Sequence, residues 1–511
     1  MVDHDRFGDH DAPLVVGAEI LGEFVRKLLT QPGPKTKLKL SPNQPAFPYR
    51  TVNRQLLPVW LLFGLGIGLR FANLLGKPVW LDEASTLFHI SGFVNQFTNQ
   101  LLTTGLPVTA ADLLQYQQPN AAHGLSAMIN NIADKAPELP PLYFVLLHIW
   151  MQIFGGGIWV ARSLGALISL ATLPAMYWLC LELFGLPIVG WYGMALLAVS
   201  PFHLNLAQEL RPYSLWTVCF LMATALFIRA QRTARWRDWL GFSAAMLAGL
   251  YTHLFMLLPW LVYGLHSWLM SQSAGCWWRW TRSLKQFVVV NGLIVAGFIP
   301  WLWLGFLMPR SGREAIYAKP YDSRFGVIKA VVQGISRFFV DFSVNETSAA
   351  WALAGYGLCT LGVLAIVSYA LIDLKRHADR QSRWLLWLMA ALPITLLVGS
   401  DLVLNASRAS FTRYYTPSAI AIEIAIAYLI ASKQTFRFQA STLWQRWERQ
   451  WIALLLVGVV SCGWFVIAPT WWSKTKTEAD GCIVATTTTA TSPLIVTDEF
   501  FYAIVGLGPS A

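Results

Sequence analysis

The chain has 511 residues, of which 55% are hydrophobic and 13% charged, with a net charge of +11. An ordinary soluble domain carries about 25% charged residues, so a soluble fold of this size is excluded. The apolar residues come in long blocks, many near the roughly 20 residues that cross about 30 Å of hydrocarbon, and the reading is a polytopic membrane protein.

Residues 1–55 are polar, acidic at first (Asp3, Asp5, Asp9, Asp11) and then basic (Lys35, Lys37, Lys39, Arg50, Arg54). They read as a cytoplasmic tail with a short amphipathic helix at 18–29 and no signal peptide. A membrane domain over 56–469 follows, and a short extracytoplasmic tail over 470–511, with a small strand element at 493–501.

Apolar blocks fall at 56–76, 141–154, 159–183, 187–206, 213–230, 239–253, 255–271, 287–307, 350–372, 384–404, 414–431 and 450–469. If all crossed, the gap holding Arg229, Arg232, Arg235 and Arg237 would face outward, against the bias of basic loops toward the cytoplasm. Block 141–154 is too short for a span and suits an interfacial helix. Removing it makes the basic gaps 229–237, 279–285, 375–383 and 433–449 all cytoplasmic. The expectation is a bundle of about 11 transmembrane helices, N-terminus inside and C-terminus outside.

Two large outside loops result, 77–158 and 308–349. The second spaces Phe325, Ile328, Val332, Ile335 and Phe339 like an amphipathic helix lying on the membrane surface. Cys180, Cys219, Cys276, Cys359, Cys462 and Cys482 are scattered, without a disulfide or metal pattern. The Asn-x-Ser/Thr contexts of Asn345 and Asn405 carry little information.

Charges near spans are costly and therefore informative where they converge. On this topology the outer end of the bundle collects Asp82, Glu83, Arg162, Glu209, Arg211, His253, Asp401, Arg408 and Arg413. Carboxylates beside guanidinium groups there suit an anionic lipid headgroup and a base. Asp82 and Glu83 follow Trp80 and interrupt an apolar stretch; a solvated acidic loop is the plain alternative. Arg162 reads either as a phosphate ligand or as an interfacial anchor, and Arg211 could simply pair with Glu209. Arg408 and Arg413 divide in the same way between phosphate binding, which suits the planar guanidinium fork, and anchoring. His253 reads more simply as structural, Arg70 as snorkelling outward, and Glu423 as a buried acid with no evident partner.

No Walker glycine loop, metal-spaced His/Asp cluster or Gly-x-Ser-x-Gly elbow occurs. Chemistry would then fall to carboxylates and arginines acting on an already activated substrate. No cofactor is indicated; a divalent cation stays open. A transporter or flippase of a lipid-linked sugar is the competing class, although transporters place charges near the bilayer midplane. Nucleic acid is not an expected partner.

Six short motifs occur in order: Trp80-Leu81-Asp82-Glu83-Ala84; Leu139-Pro140-Pro141-Leu142-Tyr143; Phe154-Gly155 followed by Ala161-Arg162-Ser163; Gln208-Glu209-Leu210-Arg211-Pro212-Tyr213; Tyr251-Thr252-His253; and Arg413-Tyr414-Tyr415. In this order they resemble a GT-C glycosyltransferase, above all the dolichyl-phosphate-mannose protein mannosyltransferase superfamily (glycosyltransferase family 39) and its bacterial members. The resemblance covers about residues 55–430. It implies an all-α GT-C-like bundle with extracytoplasmic interfacial helices, a polyprenyl-phosphate sugar donor, and a lipid, glycan or protein acceptor. It implies Asp82 as general base with Glu83 in support, and Arg162, Arg211 and Arg413 as ligands of the lipid phosphate; Glu209, Tyr213, His253 and Tyr414 are further candidates. It also implies a bacterial inner membrane with the site facing the periplasm. Loop 308–349 is too short for the folded outer domain of the eukaryotic members, which leaves lipid and glycan acceptors open beside protein.

Overall fold

The computed structural model describes residues 49–92, 115–120, 123–272, 281–308, 324–344, 348–404, 406–435 and 442–471. The expected helix at 18–29, the strand element at 493–501, Cys276, Cys482, Asn345 and Asn405 lie outside these residues. Among the described residues every regular element is helical: α1 (Tyr49–Phe71), α2 (Leu81–Ser91), α3 (Leu125–Lys135), α4 (Leu142–Phe154), α5 (Ile158–Leu170), α6 (Thr172–Phe184), α7 (Pro187–Ala198), α8 (Pro201–Gln208), α9 (Tyr213–Thr233), α10 (Trp236–Thr252), α11 (Leu257–Ser271), α12 (Arg282–Leu302), α13 (Arg324–Arg337), α14 (Ala350–His377), α15 (Arg380–Leu404), α16 (Thr416–Thr435) and α17 (Thr442–Ile467).

All eleven blocks read as spans are helical, but fewer reach spanning length. Among the described residues seven stretches are long and apolar enough to cross a membrane, or eight if the bent pair α7 and α8 counts as one. α10 is 17 residues long, and the apolar parts of α1 and α17 are shorter still. α4 is a separate helix of 13 residues, about 20 Å long at 1.5 Å per residue, and so too short to span. α13 forms where the apolar periodicity put a helix, and it packs on α14 and on the turns at 408–410 and 412–415. Its Ile328 is exposed while Phe339, just beyond it, is buried.

The bend between α7 and α8 is 61°. Pro201 opens α8 without an N–H to continue the preceding helix, and the Ser200 hydroxyl accepts from the backbone N–H of His203 at 3.5 Å. The carbonyls freed at the end of α7 find a partner in Arg70. Its guanidinium donates to Ala198 O at 3.0 Å, to Leu197 O at 3.3 Å and to Gly66 O at 2.7 Å. Arg70 is therefore fully buried rather than snorkelling, because backbone carbonyls without helical partners must be satisfied inside an apolar bundle. Gly66 permits this approach: a Cβ there would meet Ala198 O at 2.5 Å. Glu423 also has a partner, His203, whose Nε2 lies 3.2 Å from its carboxylate.

Candidate active site

The segment between α1 and α2 is pinned from several sides. Asn73 takes a left-handed conformation, φ 55°, and its side-chain amide donates to Val466 O at 2.7 Å. α2 then begins at Leu81, placing Asp82 and Glu83 in its first turn, where carboxylates suit the helix dipole.

Glu83 is completely buried. Its carboxylate accepts from Arg162 Nε at 3.0 Å and Nη2 at 2.6 Å, from the Leu210 N–H at 2.9 Å and from the Trp80 N–H at 3.4 Å. Arg162 spends its remaining N–H groups on Leu74 O (2.7 Å), Lys77 O (2.9 Å) and Pro78 O (3.1 Å). All five guanidinium donors are thus engaged on a side chain 1% exposed. This corrects one expectation, since Arg162 has no donor left for a lipid phosphate; Glu83, with no face open to a substrate, is left the supporting place expected of it. Together they clamp the α1–α2 segment, α5 and the α8–α9 turn into one frame.

Asp82 points the other way and is 25% exposed. Its Oδ2 lies 3.1 Å from Arg413 Nη2 and 4.0 Å from Arg211 Nε. Arg211 also donates to Asp82 O at 3.2 Å and Thr86 Oγ1 at 3.0 Å, so it is more than a simple partner of Glu209. Burial works against its charge, but the fields of Asp82, Tyr213 and buried Glu209 outweigh that and hold its pKa above the usual value.

Arg413 sits in an aromatic cage. Its guanidinium carbon is 4.8 Å from the centre of the Phe411 ring, 5.3 Å from Trp80, 5.5 Å from Tyr414 and 5.7 Å from Tyr213. Ring faces stabilise a cation at such distances and fix the plane of the fork. The turn carrying Phe411 and Arg413 is held by Asp401, whose Oδ2 accepts from Ala409 N at 2.7 Å, and by the Tyr415 hydroxyl bonded to Ala409 O. Arg408 is exposed on that turn and outside the cage. His253 backs the cage: its ring stacks on Trp216 at 4.9 Å and lies 6.1 Å from Tyr414. Its Nδ1 accepts from Phe255 N at 3.1 Å, a structural role at the end of α10.

Several residues here were not foreseen. Thr86 and His89 follow Asp82 at helical spacing on α2, a periodicity that could have found them. Burial and then Arg211 push the His89 pKa down to about 4, so it is neutral. Tyr143 is buried on α4 within the field of Arg211. Lys77 is 4% exposed, with its ammonium 4.1 Å from the Phe465 ring centre and 5.2 Å from Trp471. Arg337 is the largest omission. It lines, with Asn205, Asp341, Phe411 and Arg413, a cavity of about 50 Å³ beside the cage, in a loop whose sequence was read only for its apolar spacing. Among the described residues no three His, Cys, Asp or Glu side chains converge as metal ligands.

The family model "Dolichyl-phosphate-mannose-protein mannosyltransferase" matches residues 138–304. That stretch contains α4 to α12 with Arg162, Glu209, Arg211, Tyr213 and His253, but neither Asp82 nor Arg413. Two solved structures of ArnT from Cupriavidus metallidurans superpose on nearly the whole chain. The one bound to undecaprenyl phosphate gives a TM-score of 0.52 at 14% identity, over 88% of this chain and 84% of that one. The apo structure gives 0.53 at 14% identity, over 90% and 84%.

The chain has the GT-C fold. At 14% identity the likeness is one of architecture, and the motif resemblance to the protein mannosyltransferase superfamily agrees with the matched family model. None of the curated proteins compared matches the sequence. In GT-C terms, the Asp82–Arg413 pair and its cage lie on a frame built by Glu83, Arg162 and the α8–α9 turn.

Proposed function

We propose that the protein is a membrane glycosyltransferase that moves a sugar from a polyprenyl-phosphate carrier to an acceptor hydroxyl on a lipid, glycan or protein, with Asp82 as the base. The observation that carries this reading is the partly exposed Asp82 carboxylate facing the caged Arg413 at 3.1 Å. It is supported by the fold, by the matched family model, and by the undecaprenyl phosphate named with one ArnT structure.

The chemistry needs few groups. The acceptor oxygen forms the new bond to the anomeric carbon, and the bond from that carbon to the phosphate oxygen breaks. The electron pair leaves with the polyprenyl phosphate, a stable anion that needs cations rather than an acid. The hydroxyl proton passes to Asp82, which must lie within about 2.6–3.2 Å of it. Arg413, and Arg211 beside it, are the cations for the phosphate. Before the donor arrives they neutralise Asp82; a phosphate sharing them frees a carboxylate lone pair for the acceptor. We place the site on the periplasmic face of a bacterial inner membrane, with the N-terminus cytoplasmic.

Asp82→Asn tests the reading with purified protein and a radiolabelled polyprenyl-phosphate sugar. Donor binding is retained, while transfer falls by the roughly 10²–10⁴-fold typical of a lost general base. Transfer at a near wild-type rate removes Asp82 from this role.

A further inference from the structure

At the other end of α10 from the caged arginine lies a second basic feature, with a different architecture. α10 starts at Trp236 and ends at Thr252, next to His253 behind the cage; its 17 residues span about 25 Å. Around Trp236 a cavity of about 360 Å³ is lined by Trp236, Arg282, Lys285, Gln286 and Val289. It is therefore far from Asp82.

Its floor is rigid. The Gln286 amide is engaged on both sides, accepting from Trp239 Nε1 at 3.1 Å and donating to Ala234 O at 3.2 Å. The Ser283 hydroxyl donates to Gln231 at 3.0 Å, tying the start of α12 to the end of α9. Two other arginines at this end are spent: Arg229 and Arg232 pair with Glu182, and Arg229 also with Asp238, while Arg235 and Arg237 are exposed but do not line the cavity. Arg282 and Lys285 are different. Both are exposed on the cavity wall, and among the described residues neither has a carboxylate partner.

Apolar side chains continue from the cavity along α10 and α12. Trp236 and Leu240 on α10 are exposed, as are Val288, Val289 and Leu293 on α12. In a membrane protein such a strip faces acyl chains. Two cations without a carboxylate partner among the described residues, at the head of an apolar strip and sharing the cavity with a tryptophan, match an amphiphile whose charge is negative. A soluble anion would have no use for the strip.

We propose that this cavity binds the headgroup of an anionic phospholipid, its phosphate held by Arg282 and Lys285 and its acyl chains lying along α10 and α12. The proposal rests on the membrane reading and is independent of the sugar-transfer reading. Native mass spectrometry of the purified protein, released from micelles holding equal phosphatidylglycerol and phosphatidylcholine, tests it. Wild type retains phosphatidylglycerol in preference, and Arg282→Gln with Lys285→Gln lowers that retention about tenfold or more. Arg235→Gln with Arg237→Gln, exposed charges at the same end, leaves it unchanged. Should the first pair fail to fold, either single variant substitutes for it, with a severalfold loss expected. Equal retention of the two lipids by wild type overturns the proposal. So does an equal loss in both double variants, which means bulk charge attraction only. Competition by glycerophosphoglycerol, a headgroup without chains, as effective as by the intact lipid also overturns it, since the site then takes a free anion.

Discussion

Arg162 and Glu83 form a two-pronged ion pair, Nε to Oε1 at 3.0 Å and Nη2 to Oε2 at 2.6 Å, in which neither side chain is more than 1% exposed. The pair joins two helices 79 positions apart in sequence and leaves the neighbouring Asp82 as the carboxylate of the motif that reaches solvent. Its consequence is mechanical: it sets where Asp82 stands relative to Arg211 and Arg413.

Removing one partner strands a buried charge. Glu83→Ala and Arg162→Ala should each destabilise the protein by about 3–5 kcal/mol, the range for breaking a buried pair. Thermal unfolding in detergent reads this as a lower midpoint. The double variant should be less destabilised than the sum of the two, since it leaves no lone charge. Arg162→Lys should rescue little, because a lysine cannot supply five planar donors. Strict additivity would mean that the pair contributes no coupling.

Arg413 and Arg408 stand five residues apart with opposite expectations. Arg413→Ala should weaken polyprenyl-phosphate binding by the equivalent of about 1.5–3 kcal/mol, the worth of a hydrogen bond to a charged group, or roughly 10–150-fold. Arg413→Lys should recover part of this, keeping charge but losing the stacked fork. Arg408→Ala, exposed and outside the cage, should change binding little. A direct binding titration of the purified variants decides it; equal losses at both positions would remove the cage from the phosphate site.

Lys77 predicts a pH dependence of stability. Burial and then nearby Arg162 lower its pKa from the ordinary 10.5 to about 7. Between these values the unfolded chain holds the proton and the folded one does not, so stability rises with pH. The burial cost of the ammonium is fully present below about pH 7 and is relieved as pH climbs toward the unfolded value. The unfolding midpoint of wild type should therefore rise relative to Lys77→Met between about pH 7 and 10. A difference that stays flat over that window would show that Lys77 does not titrate there.

The proposed topology is open to a direct test. Reporter fusions after residue 156 should report an outside location, and fusions after residue 234 an inside one. Activity of an outside reporter at 234 would overturn the eleven-span orientation.

Much of the architecture was legible without coordinates. The apolar blocks located the long helices, and block 141–154, read as too short to span, forms the 13-residue helix α4, because crossing hydrocarbon sets a length and a composition that can be counted along a chain. Motif order gave the family resemblance and drew attention to Asp82, Glu83, Arg211 and Arg413. The same reading could not assign partners. It sent Arg70 outward, left Glu423 alone, gave Arg162 to a phosphate and overlooked Arg337.

These errors share a physical cause. A charge pattern reports that a side chain is costly to bury, whereas its role depends on which donors and acceptors meet it across the bundle. By itself the sequence determined that this is a helical membrane protein with an acidic pair outside its first apolar block. Only the tertiary structure divided that pair, sealing Glu83 against Arg162 and leaving Asp82 open beside Arg413, because burial and hydrogen-bond geometry belong to the packed bundle and not to neighbouring positions in the chain.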